Sequence, residues 1–169
     1  MIVQAEDLGF AITPDEASEL RDAGRRIRAA AEEQLGFTHP ELPEVDYISF
    51  CLFAMPVVEE DGLPTSKNAV VVRPGKIDRC PTGTGCSARM ALLHAQGRMN
   101  VGDVYRARSM IGSEFVCGIE SVTSLGDTPA ILPTVSGRAW ITGSHQVLLD
   151  PADPWPEGYR LADTWPGTC

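Results

Sequence analysis

Residues 78–88 read Asp78-Arg79-Cys80-Pro81-Thr82-Gly83-Thr84-Gly85-Cys86-Ser87-Ala88 and run on into Arg89-Met90-Ala91-Leu92-Leu93-His94-Ala95-Gln96. A glycine-spaced loop is entering a helix. The first backbone N–H groups of a helix have no internal partner and sit at the positive end of its dipole, which makes such a junction a seat for a carboxylate or phosphate. Gly83 and Gly85 let the backbone approach a ligand with no Cβ in the way, while Thr82, Thr84 and Ser87 offer hydroxyls toward the same point. Asp78, just before them, can accept a hydrogen bond from a ligand ammonium.

Glycines at this spacing also serve turn geometry alone, so spacing does not choose between a structural turn and a binding loop. The order of residues excludes two phosphate loops: no Lys follows the second glycine as in a P-loop, and the glycines do not make G-x-G-x-x-G. The pattern suits a small anion paired with a cation, such as an amino acid.

Asp78 to Met90 resembles the second signature of the proline racemase family, usually DRSPCGTGTSA, a family that includes 4-hydroxyproline 2-epimerases and trans-3-hydroxy-L-proline dehydratases. The resemblance extends to Asn68-Ala69-Val70-Val71-Val72, Pro74-Gly75-Lys76-Ile77, Ile111-Gly112-Ser113, Gly137-Arg138-Ala139-Trp140-Ile141-Thr142-Gly143, and Asp150-Pro151 through Ala162-Asp163-Thr164-Trp165. Full-length members have two similar lobes, each presenting one catalytic position at a helix N-terminus, with the first lobe supplying a Cys in a Met-Cys-Gly-His motif. That motif does not occur here, and Met1 to Gly9 resembles the segment where the second lobe begins. The resemblance therefore implies a C-terminal lobe over residues 1–169, with 151–169 as an extended closing segment. The implied fold is α+β, a mixed, mainly antiparallel sheet around a central helix, as in proline racemase and diaminopimelate epimerase.

Thr82 stands where racemases and epimerases of this family have their second Cys. A thiol titrates near ~8.5 and is lowered at a helix N-terminus, so it can serve as acid or base; an aliphatic hydroxyl ionises far too weakly. A Cys in the first lobe and a Thr in the second is the family pattern of trans-3-hydroxy-L-proline dehydratases. The resemblance implies that Thr82 positions substrate or water, that the N–H groups of Gly83 and Thr84 bind the carboxylate, and that Asp78 holds the ring nitrogen. Cys80 and Cys86 are the alternative acid/base candidates; if either reached the α-carbon, the racemase or epimerase reading would return. The bland reading of both is packing, since free Cys behaves as a small hydrophobe.

The remaining features bound the partners. A chain of 169 residues can bury a real core, and its formal charge of −9 disfavours nucleic acid and anionic membrane as partners. The five cysteines, Cys51, Cys80, Cys86, Cys117 and Cys169, make neither a C-x-x-C pair nor a disulfide-like framework, which points to a reduced, cytoplasmic protein. No cluster has metal-ligand spacing, no cofactor is implied, and neither a signal segment nor a membrane span is expected. The expected partners are a small amino-acid substrate and an N-terminal-lobe protein carrying the Met-Cys-Gly-His motif, the two chains forming a heterodimer that alone is inactive. A Met start at the lobe boundary and an intact loop favour this split enzyme over a truncation or an inactive binding or regulatory lobe.

Along the chain, Met1–Gln4 reads as a short strand. Thr13-Pro14-Asp15-Glu16 reads as a capped helix start, with Ala17, Leu20, Ile27, Ala31 and Leu35 as the apolar stripe. Tyr47–Phe53 and Asn68–Val72 read as neighbouring strands with a turn at Glu59-Glu60-Asp61-Gly62. A second helix runs from about Gly85 to Gln96 and would bury Cys86, Met90 and Leu93. Tyr105–Met110, Glu114–Val122, Ala130–Val135 and Ala139–Leu148 follow as strands, with turns at Gly126-Asp127 and Ser136-Gly137. His39 reads as exposed loop, His94 as a helix-end residue whose charge complements the dipole and His145 as a structural polar group, with Trp155, Tyr159 and Trp165 as aromatics over a surface or interface.

Overall fold

The computed structural model describes residues 1–159. Its contacts divide the chain into two units, Met1–Arg138 and the part from Ala139 onward. The first unit contains β1 (Ile2–Gln4), α1 (Ala17–Gln34), β2 (Phe50–Ala54), β3 (Val58–Glu60), β4 (Leu63–Val72), β5 (Lys76–Ile77), α2 (Gly83–Ala95), β6 (Val104–Arg108), β7 (Glu114–Leu125) and β8 (Thr128–Gly137). The sheet runs β1-β2-β4-β6-β7-β8, with β3 and β5 also pairing β4. β1–β2 and β4–β6 are parallel and the remaining pairs antiparallel, so the expected α+β architecture with a mixed, mainly antiparallel sheet holds.

β2 and the second half of β4 are apolar without alternation because both of their faces are covered. Side chains alternate across a strand. Cys51 and Phe53 of β2, with Ala69 and Val71 of β4, pack with Leu20 and Ala23 of α1. Leu52, Ala54 and Val70 form a separate cluster. The helices meet these two sets through glycines: a Cβ on Gly24 would lie 2.7 Å from Val71 Cγ2, and one on Gly85 would lie 2.8 Å from Leu52 Cδ1 and 3.0 Å from Val70 Cγ2. α1 and α2 therefore press on opposite faces of β2 and β4, and α2 is seated against the sheet at its first turn.

The start of α1 is built as its sequence predicts. A 3₁₀ turn at Pro14–Glu16 carries a capping box, with Glu16 Oε2 accepting from the Thr13 N–H at 2.7 Å and the Thr13 hydroxyl at 2.9 Å. The Ala11 and Thr13 N–H groups hold the Glu16 carboxyl below its usual 4.5. A carboxylate depressed on folding stabilises the native state above its unfolded pKa, and that contribution disappears as pH falls through the folded value. Glu16→Gln is expected to flatten the acid limb of a stability-versus-pH curve below about pH 5, measured by urea denaturation at successive pH values.

Several expectations need correction. α1 ends at Gln34 and Leu35 is exposed, so the buried stripe stops at Ala31. The strand expected from Tyr47 begins at Phe50, and the one expected at Asn68 begins earlier, at Leu63. The reason for the second is a hairpin: β3 pairs β4 across Asp61-Gly62, whose φ angles of 53° and 75° make the tight turn. Ser136 and Gly137 are the end of β8, not a turn, and they pair Val116 and Phe115. Gly137 is there because the Phe115 ring occupies the space where its Cβ would stand, 2.6 Å away.

Ala139–Leu148, expected as a strand, has no regular structure. A strand needs a ladder partner, and this segment pairs with none of the described strands. Trp155 and Tyr159 meet edge to face at 6.3 Å and are both exposed. Trp165 and the end of the closing segment lie outside the described residues. Among the described residues no helix is long and apolar enough to cross a membrane.

Candidate active site

α2 begins at Gly83, two residues before the expected start, with Thr82 as its N-cap. The first intrahelical bond runs from the Cys86 N–H to the Thr82 carbonyl at 2.8 Å. The N–H groups of Gly83, Thr84 and Gly85 thus precede the ladder, and no side chain caps this end of the helix. Three donors at the positive end of a 13-residue helix are the arrangement that the sequence reading expects of an anion seat. A Cβ on Gly83 would meet nothing within 4 Å, so the space above the first donor is open.

Thr82 is the strained residue of the loop. Its φ of 67° and ψ of 109° are unusual for a β-branched side chain, and such a conformation costs on the order of 1–3 kcal/mol. The side chain is almost fully buried, and its hydroxyl donates to Asp78 Oδ2 at 2.5 Å. Thr82 and Asp78 therefore act as one unit: the hydroxyl proton is committed to the carboxylate, and the Thr82 lone pairs stay available as acceptors. Asp78 is fixed from the other side by its own N–H, which donates to the Val70 carbonyl at 3.1 Å.

Two polar residues hold the loop carbonyls. The buried Asn68 amide donates to the Pro81 carbonyl at 2.7 Å. The Ser113 hydroxyl donates to the Arg79 carbonyl at 3.1 Å and is itself within 2.7 Å of the Ser109 hydroxyl. Neither Asn68 nor Ser113 was singled out for this task by sequence. The signal was present at Asn68, an amide at the head of a valine run, because a buried amide demands a partner.

Cys80 is exposed and Cys86 fully buried. Cys86 packs with Met90, Tyr105 and Cys117 in the core beneath α2, and its sulfur lies 3.5 Å from the Pro81 carbonyl. A hydrogen bond from Cys117, aided by Tyr105 and Asn68, draws the Cys86 thiol below its usual range against the opposing effect of burial. The same contact and burial push Cys117 up. Cys86 thus faces inward, while the donors of Gly83 and Thr84 begin the helix above it. His94 is used structurally: its Nδ1 lies 2.9 Å from the Met99 carbonyl. His145 is exposed in the second unit.

The loop is open. Two cavities of about 500 and 510 Å³ are lined by other residues, the first around Val57, Leu93 and Tyr105 and the second around His94, Val122 and Ile131.

The family model for proline racemase matches residues 1–160. The chain belongs to the proline racemase family. Among solved structures it is similar to a probable proline racemase from Agrobacterium radiobacter K84 with bound carbonate, at 37% identity and a TM-score of 0.77, over 95% of this chain and 46% of that one. It is also similar to a hydroxyproline epimerase from Agrobacterium vitis with bound trans-4-hydroxy-L-proline, at 35% identity and a TM-score of 0.77, over 97% of this chain and 46% of that one. The chain thus spans about half the length of these proline racemase relatives, the size of one lobe.

The two loop glycines answer to different demands, which a pair of substitutions separates. Gly85→Val drives a side chain into Leu52 and Val70 and is expected to cost about 1–3 kcal/mol, lowering Tm by about 2–12 °C. Gly83→Ala enters open space and is expected to leave Tm unchanged or slightly raised. Differential scanning calorimetry of both variants makes the comparison.

Proposed function

We propose that this chain is half of a cofactor-independent active site that dehydrates trans-3-hydroxy-L-proline. The observation that carries the proposal is Thr82 at the family's second Cys position, with its hydroxyl donated to Asp78 and the Cys86 thiol buried beneath the helix. A base from the other lobe, a Cys in a Met-Cys-Gly-His motif, takes the α-proton. The electron pair of that C–H bond becomes the ring double bond, the 3-hydroxyl leaves, and the enamine tautomerises to Δ1-pyrroline-2-carboxylate. The N–H groups of Gly83 and Thr84 bind the carboxylate and stabilise the charge that develops on it, which is where fixed donors lower a barrier most. Asp78 accepts from the ring nitrogen. Thr82 orients Asp78 and receives substrate or water on its lone pairs.

The partner is a lobe-sized protein that forms a heterodimer with this chain in the cytoplasm; the free thiols of Cys51, Cys80, Cys86 and Cys117 support a reducing compartment. A second reading, a proline racemase or 4-hydroxyproline 2-epimerase half, is favoured by the similarity to the Agrobacterium vitis epimerase and by the exposed thiol of Cys80 in the same loop. Purified alone, the chain is expected to release no pyrroline-2-carboxylate from trans-3-hydroxy-L-proline. Mixed with its N-terminal lobe it is expected to do so. Activity of the isolated chain, or release of D-proline from L-proline by the mixture, overturns the proposal.

A further inference from the structure

We propose that Asn68 is a positioning residue: by holding the Pro81 carbonyl it imposes the left-handed conformation of Thr82 and keeps the Thr82–Asp78 pair in place before substrate arrives. This role rests on the active site proposed above and adds to it the group that sets the shape of the loop.

A residue is flanked by two planar peptide units, and its φ and ψ are free only while one of those planes can turn. At Thr82 neither can. The plane before it is fixed at the Pro81 carbonyl, which accepts from Asn68 Nδ2 at 2.7 Å and lies 3.5 Å from the Cys86 sulfur. The plane after it is fixed at the Thr82 carbonyl, which accepts the Cys86 N–H at 2.8 Å as the first bond of α2. With both planes held, Thr82 stays at φ 67° and ψ 109°, a conformation that a β-branched residue keeps only where its surroundings over-determine it. From this conformation its hydroxyl reaches Asp78 Oδ2 at 2.5 Å.

Among these holds, Asn68 is the one that can be released without dismantling the helix start. The Cys86–Thr82 bond is backbone to backbone and opens the α2 ladder, and the Cys86 thiol is a weak donor. Asn68 stands on β4, only 4% exposed, and its own backbone pairs with Ala54 of β2 as any residue of the strand could. The strand itself therefore has no need of an amide there, and burying one is costly unless it finds a partner. Two positions further along β4, the Val70 carbonyl accepts the Asp78 N–H at 3.1 Å. One strand thus anchors both members of the pair, Asp78 through the Val70 carbonyl and Thr82 through the Asn68 amide.

The test uses Asn68→Ala and, to fill the vacated space with a residue suited to a strand, Asn68→Val. Crystal structures of both variants are expected to show Thr82 at negative φ with its hydroxyl off Asp78, while α2 still begins at Gly83. Mixed with the N-terminal lobe, both are expected to lose on the order of 10- to 100-fold in kcat on trans-3-hydroxy-L-proline with KM little changed, because the Gly83 and Thr84 donors remain and only alignment is lost. An amide that served packing alone would lower Tm and leave both constants of the folded enzyme as they are. Thr82 unmoved in the variant structures, or full kcat in the mixture, overturns the role of Asn68 and leaves the dehydratase reading standing. Absence of turnover by the wild-type mixture overturns that reading instead, and the conformation of Thr82 in the variants still decides whether Asn68 imposes it.

Discussion

Thr82→Cys, in the proposed complex of this chain with an N-terminal lobe, is expected to raise α-proton exchange and racemisation of L-proline on the order of 100-fold or more above the wild-type level, the contribution of one positioned acid/base group. Inversion needs a base on one face of the α-carbon and an acid on the other. Thr82 sits at the helix terminus with its proton given to Asp78, and a hydroxyl neither releases nor regains that proton near neutral pH. A thiol at the same place has a proton to exchange, and the helix terminus favours its ionised form. The substitution removes a β-branch from a residue at φ 67° but also gives up the hydroxyl's hydrogen bond to Asp78, so a modest loss of stability is expected. Chiral chromatography of proline after incubation reads the gain. An unchanged racemisation rate with an intact fold would show that residue 82 does not face the α-carbon.

Asp78→Asn carries the second large effect. The asparagine keeps an oxygen to accept the Thr82 hydroxyl, so the loop should retain its shape, but the negative charge that the proposed function sets opposite the substrate nitrogen is gone. A hydrogen bond to a charged group contributes about 1.5–3 kcal/mol, which corresponds to a loss of roughly 10- to 100-fold in kcat/KM of the assembled enzyme. Asp78→Ala, which strips the Thr82 hydroxyl of its acceptor as well, is expected to lose more. Equal losses for the two variants would mean that the carboxylate serves the substrate and not the loop, whereas a loss confined to Asp78→Ala would mean that it serves the loop and not the substrate.

The site was legible where chemistry and local geometry coincide. The order Asp78, Thr82, Gly83, Thr84 placed a donor-rich helix start beside a carboxylate because glycine and hydroxyl residues announce such turns. What could not be read was how the side chains meet: the positive φ of Thr82 turns its hydroxyl onto Asp78, a conformation that propensity assigns to glycine. The helix start slipped by two residues because Gly83 and Thr84 are weak helix formers held in place by Gly85 against Leu52 and Val70, a tertiary contact. The valine run of β4 was legible as a strand, whereas its extension through Leu63 depends on the β3 hairpin and on parallel pairing with β6, both long-range. Ala139–Leu148 reads as a strand and is not one in the lone chain, because strand propensity describes a surface that must be paired and covered.

The most direct measurement is the fate of trans-3-hydroxy-L-proline in deuterated water, followed by NMR with the assembled two-lobe enzyme. Loss of the 3-hydroxyl to give pyrroline-2-carboxylate, with no α-deuterated epimer accumulating, is the result expected when Thr82 is the non-basic partner of a single thiol. Inversion with α-deuteration and retention of the 3-hydroxyl would contradict it and return a second acid/base, Cys80 or Cys86, to the site.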